Sequence, residues 1–443
     1  MTPTLTISLF CRSVFPAAPG LILTAVAVLQ SSTAFAQLDF EQAPIRYSES
    51  EATDRVHQLA KHLSEGTATL KWDNAHGYLR SVLKELDVPV SSQTLVFSKT
   101  SLQVSRISPR TPRAVYFNDD VYVGWVQQGE VIELSAADVR LGGTFYTLAQ
   151  SEGTHPVPQR ETSRCLQCHG SSHTRRVPGH IVRSVYPEPS GLPAFRLGTH
   201  LTDETSPFTE RWGGWYVTGT HGDLRHMGNV FLVDPKDEEL DVEDGANLTD
   251  LSARIDVSRY LSPHSDIVAL LVLQHQVRMH NAITAANHAG RLTERDMEVM
   301  NRALERDPGY QSESTERRFQ SAATKVVQSL LFQGELPLTS AITGSSPFAD
   351  EFSQRGPFDD RNRSLRTFDL QTRLFRYPCS FLVYSDAFQQ LPPEVMKRIE
   401  KQLSQVLNRP DSDDDYPHLS VDDRRAIREI LQATTQLSLN PIP

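Results

Sequence analysis

Cys165-Leu166-Gln167-Cys168-His169 places two cysteines three positions apart, with a histidine directly after the second one. In a helical turn, residues at this spacing project from one face. The C-x-x-C-H pattern is used to attach c-type haem: each thiol forms a thioether with the porphyrin, and the histidine binds one axial side of the iron. The pattern therefore predicts one covalent haem c per chain, held by Cys165, Cys168 and His169, with His169 as a metal ligand.

Two other chemistries use similar patterns. In periplasmic disulfide oxidoreductases a helix N-terminus lowers the pKa of a C-x-x-C thiol. Those motifs follow a buried apolar strand, whereas residues 159–164 (QRETSR) are polar. A zinc site needs a second ligand pair at similar spacing, and after residue 36 the only other cysteine is Cys379. Haem attachment is favoured, and a redox-active thiol pair is the alternative.

Residues 1–36 have the pattern of a signal peptide. Arg12 is their only charge, residues 21–29 (LILTAVAVL) form an apolar core, and Ala34-Phe35-Ala36 is a small-x-small cleavage site before Gln37. The apolar run is too short to span a bilayer comfortably. We therefore predict a periplasmic or otherwise exported protein, cleaved near Ala36/Gln37, with no integral membrane segment in the mature chain. An uncleaved N-terminal anchor is the alternative.

Composition limits the classes of partner. The 443-residue chain has a formal charge of -10, with 22% charged and 39% hydrophobic residues. These values are typical of a soluble globular protein, and the acidic balance disfavours nucleic acid and anionic membranes as partners. If haem takes Cys165 and Cys168, Cys379 has no intrachain partner, and we expect it to be a small buried hydrophobic residue.

Hydrophobic periodicity predicts an α+β fold, mainly helical with a small antiparallel sheet upstream of the haem motif. Helical spacing runs through residues 48–63 and 73–86, and the longest helical pattern opens at Ser262 or Ser265 and continues to about His288, with Gly290 as its stop. Between Gln93 and Gln150 the period shifts toward two, which indicates strands. Further helices are expected from Pro392, and after Ser420 as N-cap with Asp423 three residues later.

These patterns suggest five segments along the chain. They are residues 1–36 as signal peptide, 37–92 as an N-terminal helical segment, 93–235 as the sheet and haem-binding region, 236–256 as an acidic linker, and 257–443 as a C-terminal helical region.

A second stretch predicts cofactor contacts. Residues 211–222 (RWGGWYVTGTHG) combine Trp212 and Trp215 with paired glycines, which let a backbone approach a flat group closely. Arg175, Arg176 and the nearby Arg183 are close enough in sequence to bind haem propionates. We predict Trp212, Trp215, Arg175 and Arg176 as cofactor-binding residues. The alternatives are a glycine-rich aromatic hairpin without cofactor contact, and arginines on a solvated loop.

The sixth coordination position of the iron would decide the function. A methionine ligand shields the iron and favours electron transfer, whereas an empty position admits a substrate. Met227 is the first choice, because it lies in a glycine-rich loop beside the aromatic cluster. The other candidates, besides no protein ligand at all, are His221, His226, His275, Met279 and His200.

The haem motif, residues 212–222 and residues 226–229 (HMGN) together resemble a family of exported bacterial proteins with a single c-type haem motif. The similarity extends from residues 95–100 and 112–117 to residues 376–380, which is much of the mature chain. The resemblance implies haem binding at Cys165, Cys168 and His169. The chain is longer than a compact small cytochrome c, and it lacks the second C-x-x-C-H of dihaem peroxidases.

These observations predict an exported monohaem c-type cytochrome that transfers electrons to or from a periplasmic partner protein. The alternative is a haem-dependent oxidoreductase or peroxidase with an open or weakly held sixth position. A haem sensor or scaffold without turnover is a third hypothesis.

Overall fold

A seven-stranded antiparallel sheet occupies the first half of the computed structural model, which describes residues 39–153, 155–234, 236–409 and 415–439. The predicted signal peptide and its cleavage site lie outside the described residues. The order across the sheet is β6-β5-β4-β3-β2-β1-β9. Its strands are β1 (Thr94–Val96), β2 (Arg113–Phe117), β3 (Val121–Trp125), β4 (Val131–Asp138), β5 (Gly142–Ala149), β6 (Gln159–Arg160) and β9 (Trp215–Tyr216). Two small pairs lie apart from it: β7 (Arg183–Val185) with β8 (Thr199–Leu201), and β10 (Gly219–Thr220) with β11 (Thr343–Gly344).

The prediction of a mainly helical fold with a small sheet upstream of the motif is wrong. The sheet is large, and β9 joins it from a position downstream of the motif, where it pairs with β1. At the opposite edge β6 pairs with β5. Each of these edge strands has two residues, too few for an alternating pattern to show in the sequence. The strands β1 to β5 lie between Gln93 and Gln150, where the alternation predicts strands, and the α+β class stands.

The two faces of the sheet are covered by different parts of the chain. Residues such as Tyr116, Val123 and Leu134 point to a cluster shared with the N-terminal helices. Their neighbours Tyr122 and Ser135 point the other way, toward the longest helix and the segment that carries the motif. The motif therefore lies on the face of the sheet that the longest helix covers.

The helices are α1 (Arg55–Ser64), α2 (Leu79–Glu85), α3 (Leu166–His169), α4 (Ile267–Ala303), α5 (Glu313–Leu330), α6 (Phe348–Gln354), α7 (Asp386–Gln389), α8 (Pro393–Leu407) and α9 (Val421–Thr434). The expectation that the longest helix stops at Gly290 is wrong, because α4 continues to Ala303. A Cβ at Gly290 would lie 2.8 Å from Cγ of Pro392. This glycine therefore allows α4 to pack closely on the start of α8 and does not end the helix.

All described residues belong to one compact unit. The acidic segment 236–256 forms neither helix nor strand, but its Leu251 and Ile255 are buried against the N-terminal cluster. Among the helices that the structure describes, none combines the length and the apolar character needed to cross a bilayer.

Candidate functional site

The attachment turn, residues 165–169, is partly packed into the fold. Cys165 is the N-cap of α3 and is half-buried, Cys168 is exposed, and both are free thiols. Spacings of three and four residues place both cysteines and His169 on one flank. Leu166 packs in the cluster that contains Phe40, and the half-buried Cys165 packs against the same cluster. This cluster holds the turn in the fold, while Cys168 is its exposed thiol.

His169 is oriented by a backbone hydrogen bond. Its Nδ1 lies 2.9 Å from the carbonyl oxygen of Gly179, and its ring centroid is 4.7 Å from that of Phe145 on β5. Because a carbonyl only accepts, Nδ1 carries the proton and the lone pair is on Nε2. Within the described part of the chain, Nε2 makes no hydrogen bond. This arrangement is typical of a metal-binding histidine, whose second nitrogen is usually held by an acceptor.

The charge state of His169 suits a ligand. Burial, together with smaller effects of Arg113 and Arg183, lowers the pKa of the imidazole to about 4, against the opposing effects of the Gly179 carbonyl and the Glu133 carboxylate. The ring is therefore neutral at pH 7, as coordination through Nε2 requires.

Cys165 does not have the properties of an exchange-active thiol. Burial, followed by the carboxylates of Glu161 and Glu133, raises the pKa of this thiol to about 11. Reactive C-x-x-C thiols instead have a lowered pKa, often because they begin a long helix. Here α3 has four residues, so it contributes little dipole. The surroundings of Cys165 disfavour the redox-active thiol pair.

The sheet beside the turn carries charges that suit a haem. Arg113 Nη1 lies 2.6 Å from Glu133 Oε2, and both side chains are partly exposed. The Nε atoms of Arg113 and Arg183 are buried and have no hydrogen-bond partner among the described residues. Gly124 on β3 lies between Arg113 and Glu133, and because it has no side chain it leaves this part of the sheet surface open. Free thiols, an available imidazole nitrogen and guanidinium groups for propionates fit a covalent haem.

The other predicted cofactor residues lie in three different places. Trp215 is buried on β9, and its Nε1 donates to the carbonyl of Arg183 at 2.9 Å, so it adjoins the charged sheet face. Trp212 is fully buried and packs against His226. Arg175 and Arg176 line a cavity beside Phe40.

Two of the candidate sixth ligands have both ring nitrogens engaged. In His221, Nδ1 is 2.8 Å from the Leu224 carbonyl, and Nε2 accepts from the Asn247 amide at 2.9 Å. In His275, Nδ1 is 3.2 Å from Glu204 Oε1 and Nε2 is 2.8 Å from Ser380 Oγ. Each would have to lose a buried hydrogen bond before it could bind iron.

The remaining candidates differ in how far their ligand atoms are engaged. The Met227 sulfur accepts a weak hydrogen bond from Ser184 Oγ at 3.6 Å. Met279 is fully buried in the core, and His200 pairs with Glu210 at 3.2 Å. In His226, Nδ1 accepts from the Gly228 amide at 3.0 Å, while Nε2 is buried and has no partner in the part of the chain that the structure describes.

Sequence reasoning missed a buried histidine pair next to His169. The ring centroid of His180 lies 6.5 Å from that of His169 and 6.1 Å from that of His280. His280 Nδ1 is 2.9 Å from the hydroxyl of Tyr122, and Asn281 bonds both the amide and the carbonyl of His180. No sequence signal could have identified this pair of histidines, because the residues that bring them together are far apart in the chain: His180 and Asn281, the neighbour of His280, are separated by 101 positions.

Comparison with protein-family models finds no match, and comparisons with curated proteins and with solved structures find none either. The resemblance to exported haem proteins therefore stays a prediction. Any function assigned to the chain depends on the attachment turn and the residues around it.

Proposed function

We propose that the chain is an exported c-type cytochrome with one haem, bound covalently through Cys165 and Cys168 and ligated by His169. One observation carries the proposal: the Gly179 carbonyl holds Nδ1 of His169, and Nε2 makes no hydrogen bond in the described chain, on the flank that also presents two free thiols. When bound, haem supplies an iron that alternates between its ferrous and ferric states. The proposed activity is single-electron transfer with a periplasmic protein partner.

The surrounding residues have separate tasks in this proposal. Phe145 packs against the His169 ring and limits its rotation. Arg113 and Arg183 offer guanidinium groups to anionic haem substituents, and Trp215 holds the backbone of Arg183 in place. Met227 is the side chain that would hold the iron together with His169, because a thioether that accepts only one weak hydrogen bond is released at little cost.

A second candidate function is a haem-dependent oxidoreductase or peroxidase whose sixth coordination position is open. The hydrogen bonds on both nitrogens of His221 and His275 favour it, because they reduce the number of side chains free to close that position. Consumption of hydrogen peroxide by the ferric protein, together with a five-coordinate spectrum, would support this function. A six-coordinate spectrum without peroxide consumption would support electron transfer.

The attachment claim is tested by the double variant Cys165→Ala/Cys168→Ala, expressed in a host that exports and matures c-type cytochromes. Its chain should be colourless after acid-acetone extraction, whereas the wild-type chain should keep a pyridine haemochrome spectrum. Cys379→Ala is the matched control, because this fully buried cysteine lies in the helical core away from the turn. Covalent colour in the double variant, or its loss in the control, would refute the assignment.

A further inference from the structure

A cavity of about 530 Å³ lies beside Phe40, which packs in the same cluster as Leu166 of the attachment turn. Its walls come from the segment 175–177, from α4 and α5, and from Phe40. This volume is in the range of pockets that enclose small organic ligands.

The charged residues of the cavity are predominantly basic. Arg175, Arg176 and Lys325 line it with exposed side chains, and none of them forms an ion pair in the part of the chain that the structure describes. Arg278 also lines it but is bound to Glu204 at 2.8 Å. Asp39 is the single carboxylate of the lining. Three unpaired cations around one carboxylate leave a positive field, which attracts an anionic ligand.

The rest of the lining is apolar. Phe40, Val177 and Leu292 contribute side chains, and the half-buried Ala285 and Ala289 leave the α4 wall open. A bare inorganic anion would leave these surfaces without contacts, whereas a ligand with an apolar body would cover them.

We propose that this cavity binds a small organic acid without forming a covalent bond. Its carboxylate or phosphate pairs with Arg175, Arg176 and Lys325, and its apolar body lies between Phe40 and α4. The residues that line this cavity are distinct from Cys165, Cys168 and His169, so the site does not depend on haem attachment.

Calorimetric titration of the full chain with simple probes tests the ligand class. 4-Hydroxybenzoate or phenyl phosphate should bind saturably, and the tighter of the two identifies the preferred head group. Benzamide, which has no charge, and inorganic phosphate, which has no apolar body, should bind about tenfold more weakly or not at all. Failure of both organic acids to bind would overturn the proposal, and so would inorganic phosphate that binds as tightly as they do.

Variants locate the binding. Lys325→Gln and Arg176→Gln should each weaken the better probe about tenfold, the loss expected for one charge-assisted hydrogen bond. Ala289→Leu should abolish binding by filling the cavity while every charge stays in place. Arg110→Gln, at an exposed arginine that lines none of this cavity, is the control and should bind like the wild type. Unchanged affinity in Lys325→Gln and Ala289→Leu would refute the site.

Discussion

The attachment turn (165–169) and the Trp-rich loop (211–229) both contain histidine, but their histidines differ in how the ring nitrogens are bonded. In the loop, both ring nitrogens of His221 bond backbone groups. In the turn, one nitrogen of His169 is held and the other makes no hydrogen bond in the described chain. Residue type identifies candidate ligands, and the bonding of the second ring nitrogen distinguishes His169 from His221.

The largest expected effect on stability is in the Trp-rich loop. Asn229 is fully buried at a φ of 71°, and its side chain makes three hydrogen bonds, to the amide and carbonyl of Val217 and to the carbonyl of Gly245. Asn229→Ala leaves these groups without partners, so the free energy of unfolding should fall by about 3–5 kcal/mol. Denaturant titration would measure this loss, while haem per folded chain should not change.

Asn362→Ala is the matched control for that variant. Asn362 is exposed at a φ of 57°, so the substitution imposes a similar backbone strain without removing buried hydrogen bonds. Its loss should be about 1 kcal/mol. Equal losses in the two asparagine variants would show that backbone strain, rather than bonding, stabilises the loop.

The next largest effect concerns the support of His169. A Cβ at Gly179 would collide with the side-chain oxygen of Asn281, which accepts from the His180 amide. Gly179→Ala should lower the free energy of unfolding by about 3 kcal/mol and shift the reduction potential of the haem, because the Gly179 carbonyl moves. Gly309→Ala, where nothing lies within 4 Å of the new Cβ, should change neither. A wild-type reduction potential in the Gly179→Ala protein would show that the Gly179 carbonyl does not influence the haem through His169.

A smaller expected effect is a pH dependence of stability that comes from Glu335. Burial, with a smaller contribution from the Glu204 carboxylate, raises the pKa of Glu335 from 4.5 to about 7, against the opposing effects of the Leu374 amide, which donates to it, and of Arg373 and Arg211. The folded chain therefore binds this proton more tightly than the unfolded chain, so stability falls as pH rises from about 4.5 to about 7.

Glu335→Gln should remove about 2 kcal/mol of that fall, as measured by urea unfolding at several pH values. The exposed Glu238→Gln should leave the profile unchanged. A wild-type profile in Glu335→Gln would show that other groups cause the pH dependence.

The smallest effect on stability is expected for Met227→Leu, a variant that distinguishes iron binding by Met227 from its role in packing. Met227→Leu keeps the buried volume, so the unfolding free energy should fall by less than about 1.5 kcal/mol. If Met227 binds the iron, the weak sulfur-to-iron charge-transfer band of the ferric protein should disappear. Ser184→Ala, which removes the hydroxyl that donates to the sulfur, should keep the band. Absence of the band in the wild type would show that Met227 does not bind the iron and only packs in the fold.

Local patterns predicted the elements that depend on local interactions. The box between Ser420 and Asp423 caps α9 as expected, and Cys379 is fully buried. The start of α4 was less well predicted, because Asp266 caps the helix in place of the neighbouring serines. The continuation of α4 past Gly290 depends on packing against α8, which no local pattern contains.

The candidate site divides in the same way. The attachment turn follows from five consecutive residues, so its spacing is visible in the sequence. The pair of His180 and Asn281, and the cavity beside Arg175 and Arg176, form only when α4 packs against the segment after the turn. Long-range contacts of this kind leave no periodic signal.

The most direct test of the central claim is the intact mass of the purified mature protein, expressed with a c-type maturation system and unfolded before measurement. We expect the wild-type protein to have the mass of its polypeptide plus one haem, and the Cys165→Ala/Cys168→Ala protein to have the mass of its polypeptide alone. A wild-type mass equal to that of its amino acids alone would contradict haem attachment.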